Sequence, residues 1–118
     1  MEYLYYLANA SLTLRIVEYL HGKPQMPVGF VTMIHQINGW VVKIKMNSRL
    51  NSPQDGDFRA FLNELGIPYS PPRRVNMALV SLEAGQSPVD VMRRYQVVVV
   101  SHGSPQRKEI EAFRQQFI

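Results

Sequence analysis

Asn38-Gly39 stands between two β-rich runs, Phe30 to Ile37 and Trp40 to Met46, and no other feature constrains the fold as tightly. Asn-Gly in this setting is the preferred two-residue hairpin turn, type I′, because both of its central positions need positive φ. A hairpin over about 30–46 follows, and so short a loop sets its register. Ile37 should face Trp40, His35 face Val42, Met33 face Ile44 and Val31 face Met46 on one side of the ribbon. That side is apolar and is assigned to the core. The other side sets Phe30, Thr32, Ile34 and Gln36 opposite Asn47, Lys45, Lys43 and Val41. It is too polar to bury completely, so it is expected to meet water or a partner.

Ser-Pro pairs mark the expected helix starts, at Ser52-Pro53, Ser87-Pro88 and Ser104-Pro105. A serine hydroxyl can accept from a free first-turn amide, and proline suits the next position because its missing N–H is not needed there. From Ser52 to Leu65, Phe58, Phe61, Leu62 and Leu65 recur at helical spacing, and Gly66 with Ile67-Pro68 supplies a stop. After Ser87, Val91, Met92 and Tyr95 share a face; after Ser104, Ile110, Phe113 and Phe117 do. Between these two helices, residues 96–101 contain four successive valines, the pattern of a strand buried on both faces. Residues 67–74, rich in proline, read as extended backbone. Residues 2–20 are ambiguous between helix and strand, with Ser11 to His21 read as helix and Glu2 to Ala8 left open. Residues 75–84 fit either a strand through Val75, Met77 and Leu79 or a helix capped by Asn76 and ended by Gly85.

These elements add up to an α+β fold, a small single domain over residues 1–118. It has the hairpin, the 96–101 strand and three to four helices packed on a mixed sheet. At 118 residues, with 46% apolar and 19% charged side chains, the chain can bury one modest core unaided. It contains no cysteine, so disulfides, thiol nucleophiles and thiolate metal sites are excluded. Asn9, Arg15 and Glu18 interrupt the first apolar run before it could cross a bilayer, so neither a membrane nor an export role is expected, and the cytoplasm is the expected location. A net charge of +4 favours an anionic partner only mildly.

Two groups of residues are candidate sites. The first is Ser101, His102, Gly103 and Ser104, where a strand end leading into a helix N-terminus offers free amides to an anion. The stretch resembles the strand, His-Gly-Ser, helix element of small tetrapyrrole chelatases, which implies metal binding at His102. The plainer reading, a turn capped by Ser104, is preferred. The second group is basic: Lys43 and Lys45 beside Phe30 and Thr32 on the open hairpin face, with Arg73, Arg74, Arg93 and Arg94. Cations beside an aromatic on an open sheet are a means of holding single-stranded nucleic acid. Leu82-Glu83-Ala84-Gly85-Gln86-Ser87, continuing through Val97, resembles the first part of a transposase-type helix-turn-helix, although Val98-Val99-Val100 stands where the recognition helix should follow. His35 on the apolar ribbon face reads as a core histidine, and Asp55-Gly56-Asp57 as a solvated helix start. No metal site and no cofactor are expected.

The leading expectation is a non-enzymatic binding or regulatory module acting through protein–protein contacts, with a second copy of itself as one partner. The alternatives are a nucleic-acid-binding domain using the basic sheet face and arginine pairs, and an enzyme or ligand site at the 101–104 loop.

Overall fold

A computed structural model describes residues 1–104 and 107–116. The elements run β1 (Glu2–Leu7), α1 (Ala10–His21), β2 (Val28–Gln36), β3 (Gly39–Met46), α2 (Ser52–Leu65), β4 (Gly66–Pro68), α3 (Arg73–Glu83), α4 (Pro88–Tyr95), β5 (Val98–Gly103) and α5 (Arg107–Gln116). The strands form one sheet in the order β4-β1-β3-β2-β5, every neighbouring pair antiparallel. The α+β class holds, with five helices and a wholly antiparallel sheet among the described residues. No helix of the described residues is long and apolar enough to cross a membrane.

Residues 2–8, left open by their composition, contain a strand because their burial alternates: Tyr3, Tyr5 and Leu7 are buried on one face, while Leu4 and Tyr6 lie on the other. The tyrosines suit this place. Their rings are buried while their hydroxyls reach polar groups of α2, Tyr3 donating to Asp55 at 2.7 Å and Tyr5 to Asn63 at 2.8 Å. Helix α1 starts at Asn9, whose side chain accepts from the Leu12 amide, so its start signal is the asparagine before Ser11. Likewise Asn51, rather than Ser52, caps α2 and forms a capping box with Gln54. Ser87 caps α4 as expected, its Oγ accepting from the Asp90 amide at 3.2 Å. The expected start at Ser104-Pro105 involves Pro105, and the expected stripe of α5 includes Phe117; both lie outside the described residues.

Both faces of the sheet are covered. Helices α1, α2 and α5 pack Leu14, Ile16, Val17, Leu20, Phe58, Leu62 and Ile110 onto the face carrying Val31, Met33, Val42 and Ile44. On the opposite face, Val75, Ala78, Leu79 and Leu82 of α3 and Val91 of α4 close over Ile34 and Val41. This second layer overturns the expectation that the Phe30–Thr32–Ile34 face meets water. Residues 75–84 are helical, and their i, i+3, i+4 apolar stripe needs a surface that only this side of the hairpin supplies.

The pairing of the hairpin is displaced by two residues from the expected register. Gln36 pairs with Gly39, His35 with Trp40, Met33 with Val42 and Val31 with Ile44, so the loop is Ile37-Asn38. Neither loop residue nor Gly39 has positive φ, which excludes the type I′ turn. A slip of two keeps every side chain on its assigned face, so the apolar set still points inward. Gly39 instead makes room for β1, since a Cβ there would stand 2.5 Å from the Leu7 carbonyl oxygen and 2.7 Å from the Tyr6 ring. The valine strand is also corrected. It runs over 98–103 rather than 96–101 and is an edge strand paired with β2 alone, bulged at Val100, with Val98 43% exposed. Gln96 ends α4 in the left-handed conformation, at φ 58°.

Replacing Gly39 with alanine should therefore lower stability by about 2 kcal/mol through overpacking against β1. Asn38→Ala should stay within about 0.5 kcal/mol of the parent. Urea denaturation of both variants checks this, and a true type I′ turn would make Asn38→Ala markedly destabilising.

Candidate functional site

Helix α3 separates two groups of functional side chains. At its C-terminal end the Lys43 side chain is only 8% exposed, and its ammonium lies 2.6 Å from Glu83 and 3.3 Å from Glu2. Lys45, 48% exposed, reaches the other Glu83 oxygen at 3.0 Å and lies 5.9 Å from the centre of the Phe30 ring. Burial pushes the Glu83 carboxyl up, but the hydrogen bonds from both lysines outweigh it and hold the group below the usual carboxylate range. The same Glu83 bond raises Lys45 above its ordinary value. The sequence placed Phe30, Thr32, Lys43 and Lys45 on an open face; α3 covers Thr32 and Lys43, and the lysine charges are matched by Glu83 and Glu2.

His102 belongs to this end. Its Nδ1 lies 2.6 Å from the Thr32 hydroxyl, its ring meets Phe30 edge to face at 5.1 Å, and it hydrogen-bonds the Leu82 backbone. Burial is the chief reason its pKa falls below the ordinary histidine value. A neutral ring engaged in this way ties β5 to the last turn of α3. Ser101, next in the strand, points to the other face, where its Oγ donates to Glu109 of α5 at 3.4 Å. Strand alternation thus sends the two side chains apart. Gly103 and Ser104 border a separate hollow of about 210 Å³ beside Lys23 and Met26. The four residues of the 101–104 loop do not converge on one point. Among the described residues, no group of three or more His, Asp or Glu side chains could hold a metal ion.

The arginines gather at the opposite end of α3. Arg73 and Arg74 open this helix and Arg93 and Arg94 close α4, and the two ends meet where the Arg74 Nη1 donates to the Gln96 carbonyl at 3.3 Å. Ten residues of helix put them roughly 15 Å from Glu83. The basic residues expected to form one surface therefore form two separate groups.

Beside these arginines lies a cleft of about 540 Å³. The hairpin tip supplies Gln36, Ile37 and Asn38; the segment before α3 supplies Tyr69, Pro72 and Arg74; the α4–β5 turn supplies Gln96, Val97 and Val98. Tyr6 of β1 forms part of the wall, its ring 5.2 Å from that of Tyr69. Room for Tyr6 comes from two glycines: a Cβ on Gly39 would collide with its ring, and one on Gly66 with its carbonyl oxygen. The sequence read those glycines as a turn and a helix stop, so it missed Tyr6, Tyr69, Gln36 and Gln96 as neighbours. No local periodicity links them; the β1–β3, β1–β4, β2–β3 and β2–β5 pairings do.

The chain matches no family model, no curated protein and no solved structure.

Removing Glu83 leaves a buried cation with one exposed partner, so Glu83→Gln should lower stability by about 2 kcal/mol, less than a fully buried pair would lose. The double variant Lys43→Met with Glu83→Leu should recover much of this loss, and chemical denaturation measures both. A second test concerns pH. The folded state holds His102 neutral where the unfolded chain, with pKa about 6.5, takes up a proton. Stability should be complete above that pH and fall as pH drops through it, levelling off at the lower folded-state pKa. His102→Gln should flatten this part of the profile, as denaturation midpoints at pH 7.5 and 5 would show.

Proposed function

We propose that the chain is a non-catalytic binding module whose sheet is extended by a second copy of itself, pairing edge to edge along β5. The observation that carries this reading is the position of β5 at the margin of the sheet. Helices cover both sheet faces, so the sheet can accept a partner strand only at an edge. β4 is a poor edge, three residues long and ending in Pro68. β5 has six residues and no formal charge at neutral pH, and its Val98 is among the exposed large apolar side chains. An exposed apolar edge of this kind is a template for strand addition.

A second copy fits because antiparallel pairing about a twofold axis sets the same residues on both sides and opposes no like charges. The bulge at Val100 keeps the paired stretch short. In such a pair the outer edges are both β4, where Pro68 discourages further growth, so association stops at two. The lack of cysteine suits a reducing compartment, and the cytoplasm is the location we propose.

Light scattering after size exclusion should give twice the 13.6 kDa chain mass at high protein concentration. Val98→Lys, a change at an exposed position, should give a folded monomer. A parent chain that stays at 13.6 kDa, or a dimer that survives Val98→Lys, would rule this association out.

A further inference from the structure

We propose that the cleft at the hairpin tip binds a nucleotide, its ring against Tyr69 and Tyr6 and its phosphate at Arg74. The cleft borders the β5 edge at Val98, but its walls come from one chain and need no second copy to form. A volume of about 540 Å³ holds a molecule of nucleotide size, within the range usual for small-ligand sites. The two tyrosines lie 5.2 Å apart at the wall and offer ring surface, and stacking on aromatic rings is how unpaired bases are commonly held.

The polar groups suit the same ligand. Gln36, Asn38 and Gln96 line the cleft, and a side-chain amide carries both donors and an acceptor, the combination that reads a base edge; Gln96 spends one Nε2 donor on the Arg93 carbonyl. Arg74 spends one N–H on the Gln96 carbonyl, which fixes the guanidinium at the rim with other donors left for an anion. No carboxylate of the described residues lines the cleft, whereas Arg73, Arg93 and Arg94 lie on the two helix ends that meet beside it. At the lysine end, by contrast, Glu83 and Glu2 neutralise the cations. Gln96, the one non-glycine with positive φ among the described residues, sits at this rim, and such conformations cluster at ligand sites.

The test is titration of the full chain with AMP, GMP, CMP and UMP up to about 1 mM, followed by amide NMR shifts. A tetranucleotide titration runs in parallel. Shifts confined to residues 35–38, 69–74 and 96–98 are expected for at least one of the four nucleotides. Adenosine should bind about tenfold more weakly than AMP, and Arg74→Ala and Tyr69→Ser should each weaken nucleotide binding by about tenfold, while Tyr69→Phe should bind like the parent. Circular dichroism confirms that each variant is folded, and the shift map of the parent decides the matter if a variant is not. A tetranucleotide that binds tighter than the mononucleotides with the same map identifies the ligand as a strand, and equal binding identifies it as a free nucleotide. No shifts with any probe, shifts elsewhere, or affinity indifferent to Arg74→Ala in a folded variant would overturn the site.

Discussion

Lys43 lies under a helix, and the second layer of the molecule depends on how its charge is met. An ammonium taken from water is costly unless a partner of opposite sign stands against it. Glu83 fills that role from the last residue of α3, where the helix dipole disfavours a carboxylate. The two lysines compensate for that unfavourable position, and His102 holds the same turn through the Leu82 backbone. With this end fastened, the apolar stripe from Val75 to Leu82 closes on Ile34 and Val41. An antiparallel sheet that would otherwise leave one face to water is thereby buried on both.

This arrangement also explains why the lysine face reads as a surface from its composition. Most of the hairpin positions on that side are polar, which in a two-layer fold would mean solvent. Here they are polar because they receive particular groups: Thr32 the His102 ring, Lys43 the Glu83 carboxylate. Their partners are 70 and 40 residues away along the chain, beyond any local pattern. Composition sees the polarity and cannot see the complement.

Features whose cause is local were legible. Helix α2 is announced by its phenylalanine and leucine spacing, α4 by Ser87-Pro88, and the hairpin by two β-rich runs around a short polar break. Features whose cause lies elsewhere were not. Gly39 is small because Tyr6 and Leu7 pass beside it, and nothing adjacent to it in sequence says so. The valine run promised a strand buried on both faces, but hydrophobic runs do not encode neighbour order, and the chain places this one at the margin. The cleft was invisible for the same reason, since its walls come from connections that only the strand order brings together.

The hairpin kept its inward and outward sets although its bend is centred on Ile37-Asn38 and not on Asn38-Gly39. Parity therefore governs this connection. A slip of the two strands by one residue, rather than two, would exchange Met33 and Val42 with Thr32 and Lys43 and turn the molecule inside out along that ribbon.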